Sequence, residues 1–139
     1  MKVAVYSRYL KSDDIPYVQV LFDAFNEKGI PAIVYEPYLK ELAGNIKFKK
    51  EPHSFIGPND LKSGDIDFVI TLGGDGTILT ASTIVRDSNV TILGINLGRL
   101  WFLATIGKTN IRQAIGLIAN GEYTVSERNT LQLESNPHL

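Results

Sequence analysis

One stretch constrains the fold more than any other. An apolar run, Ile66-Asp67-Phe68-Val69-Ile70-Thr71-Leu72, stops abruptly in Gly73-Gly74-Asp75-Gly76-Thr77. Apolar residues at helical spacing follow at once, at Ile78, Leu79, Ala81, Ile84 and Val85. The pattern is a buried strand, a glycine turn and a helix. Such a unit builds an anion site. Glycines let backbone N–H groups come close to an anion, and the helix N-terminus adds positive potential. Asp75 stands out, because a carboxylate repels phosphate. Two roles call for negative charge at that place, accepting a proton from a hydroxyl or holding a metal ion. A third role is structural, as a cap on the helix. Glycine turns after strands also occur where nothing binds. Three glycines, an aspartate and a threonine within five residues weigh toward the phosphate site.

The rest of the chain alternates in the same way. Lys2–Ser7 reads as a buried strand. Asp13, Asp14 and Pro16 start a helix with apolar positions Val18, Leu21, Phe22 and Phe25, stopped by Gly29. Pro31–Tyr35 is a second strand, and Pro37–Gly44 has helical spacing. Residues 45–65, broken by Pro52, Gly57, Pro58 and Gly64, read as a long surface connection with one helical turn near Asp60-Leu61. The helix after the glycine turn runs to about Arg86. Val90–Ile95 is a further strand, and Thr109–Asn120 is an amphipathic helix ended by Gly121. Strands alternating with helices predict an α/β fold of the Rossmann-like, doubly wound kind, a mostly parallel sheet with helices on both faces. Ligands bind such sheets at the C-terminal strand ends. The Gly73–Thr77 turn and the loop Asn96-Leu97-Gly98-Arg99-Leu100-Trp101-Phe102 both belong there, so one composite site is expected. Tyr123–Glu134 reads as a β segment with no partner evident nearby. It either pairs at an edge of this sheet or begins a second, β-rich domain, which divides the chain into residues 1–122 and 123–139.

Composition removes whole classes of chemistry. The 139 residues carry a formal net charge of −1, which gives no electrostatic case for nucleic acid or a membrane surface. There is no cysteine, so disulfides, thiolate metal sites and cysteine nucleophiles are excluded. With only His53 and His138, a histidine metal cluster is not expected. The start reads as a strand rather than a signal peptide, and no apolar run is long enough to span a bilayer, so a cytoplasmic location is expected. Gly107-Lys108-Thr109 looks like the tail of a Walker A loop, but Phe102 stands where its first glycine belongs. A dinucleotide fingerprint fails at Leu79. Lys47, Lys49 and Lys50 read as a solvated loop, as does His53.

Two motifs together resemble the NAD kinase family: Gly73-Gly74-Asp75-Gly76-Thr77, and one strand later Gly94-Ile95-Asn96-Leu97-Gly98-Arg99-Leu100-Trp101-Phe102-Leu103. The first is shared with diacylglycerol, sphingosine and 6-phosphofructokinase relatives. The second, and the spacing between the two, are more specific. Glu127-Arg128-Asn129-Thr130-Leu131-Gln132-Leu133 also resembles the family's entry into its second domain.

The resemblance implies transfer of the γ-phosphoryl group of ATP to the 2′-hydroxyl of the adenosine ribose in NAD, giving NADP, with Mg²⁺ or another divalent metal. It implies that Asp75 accepts or orients the ribose hydroxyl and that Gly74, Gly76 and Thr77 line the phosphates. Asn96 joins this nucleotide site, while Arg99, Leu100 and Phe102 match the loop beside the adenosine end. NAD and ATP are the implied partners, and the full-length enzyme is implied to be a homo-oligomer. Two departures accompany the match. Trp101 stands where the family usually has glycine; if that position needs φ > 0, tryptophan there costs about 1–2 kcal/mol. The family's second domain, with its further NAD contacts, is largely missing, so the chain alone is expected to fold but not to make NADP. Its Tyr123–Glu134 segment is expected to be frayed or paired with another copy. The alternatives are a lipid kinase N-terminal domain, which lacks the second motif, and a non-catalytic nucleotide-binding module.

Overall fold

The computed structural model describes residues 1–61, 65–85, 90–97, 106–125 and 131–133. Strand β1 (Val3–Tyr6) is buried along its whole length. A 3-10 turn (Ser12–Asp14) leads into α1 (Ile15–Glu27). Pro16 lies in the first turn of α1, where a missing N–H breaks no helical bond. Val18, Leu21, Phe22 and Phe25 form its buried stripe. Gly29 ends the helix at φ 66°, and the Ile30 N–H closes back on the Phe25 carbonyl at 2.8 Å. That six-to-one bond across a left-handed residue is why glycine stands there. The chain continues through β2 (Ala32–Tyr35), α2 (Glu36–Leu42), β3 (His53–Phe55), β4 (Phe68–Gly73), α3 (Asp75–Val85), β5 (Thr91–Asn96), β6 (Ile106–Gly107), α4 (Ile111–Ala119), β7 (Tyr123–Val125) and β8 (Leu131–Leu133).

The first six strands form one sheet in the order β3-β2-β1-β4-β5-β6, every neighbouring pair parallel. This is the doubly wound α/β architecture. The chain winds outward from β1 to β3, then returns to place β4 on the other side of β1. The order therefore reverses between β1 and β4, and a crevice opens above that junction.

Strand periodicity decides which helix covers which face. Val3, Val5, Phe68, Ile70 and Leu72 share one core with Leu21 and Phe25 of α1, Tyr38 and Leu42 of α2, and Ile111, Ala114, Ile115 and Ile118 of α4. The alternate positions Ala4, Tyr6, Val69 and Ile92 share a second core with Ile78, Ala81 and Val85 of α3. Each fully buried isoleucine on α4 contributes on the order of 1.5–3 kcal/mol of transfer free energy. Truncating Leu21, which is 0% exposed, to alanine should cost about 2–5 kcal/mol.

Three elements differ from the sequence expectation. Residues 45–65 are not only a surface connection. They include β3, an edge strand with His53 opposite Ile33 and Phe55 opposite Tyr35. Only Phe55 of its three residues is buried, so it carries no alternating signal. His53 is exposed as expected, but on a strand rather than in a loop. The expected helical turn is present at Pro58–Leu61. There the Asp60 carboxylate accepts the Ile56 and Gly57 N–H groups, which holds its pKa below the ordinary value. The second difference is β6, two residues long and too short to leave a periodic trace. The third is the C-terminal segment. It is two strands rather than one, and they pair antiparallel with each other, Thr124 opposite Gln132. Among the described residues it does not join the six-stranded sheet. Tyr123 packs edge-on against Phe68 at 5.1 Å between ring centroids.

Candidate functional site

β4 is buried from Phe68 to Leu72 because it lies between β1 and β5 with a core on each face. Its end is therefore held firmly where the glycine turn begins. The Leu72 carbonyl accepts the hydroxyl of Ser7, just past β1, at 2.6 Å, and Ser7 is itself buried. The Tyr38 hydroxyl, which interacts with Ser7, has its pKa raised by burial and so stays neutral.

Gly73 is the strict glycine of the turn. Its φ is 148°, which L side chains rarely adopt. A Cβ there would collide with Thr77 Oγ1 and lie 3.2 Å from Thr77 Cβ. The Thr77 side chain thus folds back over Gly73 and is buried. The Gly74 carbonyl accepts the N–H groups of Thr77 at 3.1 Å and Ile78 at 3.3 Å. Gly74 is therefore the residue that opens the hydrogen bonding of α3, and Asp75 follows it as the first helical residue. Asp75 does not occupy the position from which a side chain caps a helix. Around Gly74 and Gly76 a Cβ would meet nothing within 4 Å, so these glycines leave open space above the turn.

The second motif meets the first directly. Gly73 is the register partner of Asn96, and the Leu97 N–H donates to the Gly73 carbonyl at 3.1 Å. Asn96 is buried at the end of β5. One step further across the sheet, Gly107 of β6 is the register partner of Asn96. Three strand ends thus form a row above which a cavity of about 390 Å³ opens. Gly73, Gly74, Thr77, Asn96 and Leu97 line it, and so do Ser7, Arg8, Lys11, Asp13, Asp14 and Lys108, its charged wall.

Of the residues singled out in the sequence, the structure brings Gly74, Thr77 and Asn96 to this cavity. Asp75 and Gly76 follow in the same turn, Gly76 exposed. Arg99, Leu100, Trp101 and Phe102 lie outside the described residues. Gly73 was read only as part of the turn, without its strict need for glycine, and the charged wall was not singled out. Asp13 and Asp14 read as helix-start residues, yet Asp14, which stands at the N-cap of α1, makes no side-chain cap bond. Burial raises its pKa, with Lys11 and Lys108 opposing and Asp13 adding to the rise. Lys108 belonged to the rejected Walker A match. The available signal was positional, since Arg8 follows β1 and Lys108 follows β6, both at C-terminal strand ends.

A second cavity, of about 320 Å³, lies at the other end of the sheet. Phe22, Phe25 and Phe48 line it with Lys47, Lys49 and Lys50. No described helix is long and apolar enough to cross a membrane.

The ATP-NAD kinase N-terminal domain family matches residues 10–123. The chain is 37% identical over 137 residues to the NAD kinase of Flavobacterium johnsoniae, a match covering 99% of this chain and 46% of that relative. It is 35% identical over 140 residues to the NAD kinase of Cytophaga hutchinsonii, covering 100% of this chain and 47% of that one. The chain thus spans about half the length of the curated relatives it matches. Yeast NADH kinase, solved in complex with NADH, has the same fold: the TM-score is 0.70 at 18% identity, over 88% of this chain and 38% of the yeast chain.

Proposed function

The chain belongs to the NAD kinase family, and we propose that it is the N-terminal part of an enzyme that phosphorylates NAD at the 2′-hydroxyl of its adenosine ribose, with ATP as donor. The observation that carries this reading is the junction of the two motifs. The bond from the Leu97 N–H to the Gly73 carbonyl joins the glycine turn to Asn96 and Leu97, the start of the second motif's loop, and all of these border one cavity. A phosphoryl acceptor and donor have to meet at such a place.

In this reading Asp75 takes the proton of the ribose hydroxyl as that oxygen bonds to the γ-phosphorus. The bond from the γ-phosphorus to its bridging oxygen breaks in line, and ADP leaves. Gly74, Gly76 and Thr77 line the phosphates. Asn96, Arg99, Leu100 and Phe102 border the adenosine end of NAD. The register of α3 supports an acceptor role for Asp75, because Gly74 rather than Asp75 opens the helix.

Mg²⁺ fits this cavity as a companion of the donor rather than in a cage of its own. Among the described residues, no three metal-binding side chains converge. Asp13 and Asp14 line the cavity, and Mg²⁺ is usually held by one or two carboxylates plus substrate phosphates. Bound there, it would neutralise charge on the β- and γ-phosphates.

The hairpin β7–β8 is the start of the second domain in this reading, with the boundary near residue 122, and the complete enzyme is a cytoplasmic homo-oligomer. The lipid kinase alternative is not favoured, because the matched relatives are NAD kinases. The test is a fusion of residues 1–139 to the C-terminal half of the Flavobacterium johnsoniae enzyme. It should form NADP from NAD and ATP and leave diacylglycerol untouched. Phosphorylation of the lipid, or a folded fusion with no NADP formed, would refute the reading.

A further inference from the structure

The charged wall of the cavity does work that the two motifs leave undone. Arg8 and Lys11, both just past β1, line one space with Lys108, which follows β6 far along the chain. Among the described residues, none of the three makes an ion pair, whereas Lys40 is paired with Glu36 and Arg112 with Glu27. Lys108 is half-buried, and its ammonium lies over the Tyr17 ring, 4.9 Å from the centroid. That contact holds the cation without using it up as a hydrogen-bond donor. A partly desolvated lysine with no carboxylate at bonding distance is stabilised by an incoming anion. The backbone explains why this lysine arrives there. Gly107 is opposite Asn96, which is opposite Gly73, so Lys108 emerges one residue beyond the row that carries the glycine turn.

We infer that Arg8, Lys11 and Lys108 form the seat of the donor's phosphate chain, with Lys108 as its principal cation. The ligand chemistry is a run of three phosphates, which ATP and inorganic polyphosphate share. The three cations outnumber the two carboxylates of the same wall, Asp13 and Asp14. On Asp14, burial raises the pKa while Lys11 and Lys108 oppose the rise, which places their charge close to the same space. The failed Walker A match acquires a physical meaning here. Lys108 follows β6 directly and serves the glycine turn two strands away.

The inference rests on the kinase reading for the identity of the donor, and its test needs no turnover. Inorganic tripolyphosphate is titrated into the 139-residue chain by calorimetry. Lys108→Gln should weaken binding on the order of 10- to 100-fold, as expected for loss of a charged hydrogen-bond donor, with the melting midpoint retained. Lys108→Arg should recover most of the affinity, and Lys50→Gln, at the other cavity, should match the wild-type chain. Lys11→Gln, at an exposed position, should weaken binding in the same direction and carries the test if Lys108→Gln fails to fold. Tighter binding of ATP than of tripolyphosphate assigns the seat to the nucleotide, and equal binding assigns it to the phosphate run itself; both support the seat. No binding by the wild-type chain, or equal binding by a folded Lys108→Gln, overturns it. A fusion enzyme that made no NADP would refute the kinase reading and leave this measurement standing.

Discussion

The two cavities differ less in charge and size than in what the backbone does around them. Each holds lysines and carboxylates, and their volumes are about 390 and 320 Å³. In the first, strands end and α3 begins, so the backbone presents N–H groups and the positive end of a helix. In the second, α1 ends beside Phe25, Asn26 and Gly29, so the backbone there contributes the negative end of a helix. Lys47, Lys49 and Lys50 beside that end complement a negative helix terminus. Arg8, Lys11 and Lys108 beside the glycine turn add to a positive one. A parallel sheet makes its two ends chemically unlike, and the polarity of the backbone, not the number of lysines, separates the proposed anion site from a solvated basic patch.

The sharpest way to break this comparison is at Asp75. In the fusion enzyme, Asp75→Asn should lower turnover about 10²–10⁴-fold, the usual range for loss of a general base. It should leave the melting midpoint and tripolyphosphate affinity in place. Near-normal turnover would remove Asp75 from the chemistry. The triple change Lys47→Gln, Lys49→Gln and Lys50→Gln should leave turnover unaltered, and a matching loss there would erase the distinction between the cavities.

Glycine substitutions give the next effect. Gly73→Ala combines a disfavoured φ with a collision against Thr77, and should cost about 1–3 kcal/mol by the overpacking alone. Gly76→Ala meets open space, and should keep stability while weakening tripolyphosphate binding. Denaturant unfolding with calorimetry separates the two. Equal stability losses at both positions would show that the turn is only a structural connection.

Ser7→Ala should cost about 1 kcal/mol, the ordinary worth of one hydrogen bond, through loss of its bond to the Leu72 carbonyl. A chemical denaturation midpoint identical to wild type would remove Ser7 from the support of the turn.

The smallest effect concerns pH. The pKa of Asp14 is raised in the folded chain, chiefly by burial. The folded state then holds its proton more tightly than the unfolded state, so this group lowers stability as pH rises through its raised pKa. Asp14→Asn should raise the melting midpoint at pH 7. The gap should close as pH falls through that raised pKa toward the ordinary carboxylate range. A melting midpoint at pH 7 that was lower for Asp14→Asn than for the wild-type chain would mean the wall holds Asp14 as a favourable ion pair.

Much of this was legible in the residues, and the exceptions have physical causes. The strands of the central sheet were readable because burial on both faces writes continuous apolar runs, as at Val3–Tyr6 and Phe68–Leu72. The α1 and α4 boundaries were readable from Pro16, Gly29 and Gly121. β3 and β6 were not, because an edge strand of three residues and a strand of two bury too little to impose a period. The C-terminal segment read as one strand because its partner lies within the same stretch. At the site, the glycine turn announced itself, since special backbone geometry demands a special residue. The charged wall did not. Arg8, Lys11 and Lys108 are ordinary surface residues in sequence, and only the strand order makes them neighbours.

The bond between Ser7 and Leu72 spans 65 positions along the chain, and so does the pairing of Val5 with Ile70. The central pair of strands is thus among the most distant in sequence. Closing that loop carries an entropic cost before any contact repays it, and folds dominated by such pairings form slowly. The helices and the β1–β2 unit can form early from nearby residues, whereas the cavity exists only after β4 has slotted beside β1. On a nascent chain the proposed binding site is therefore one of the last parts to appear, and refolding followed by tripolyphosphate binding should lag behind the recovery of helical signal.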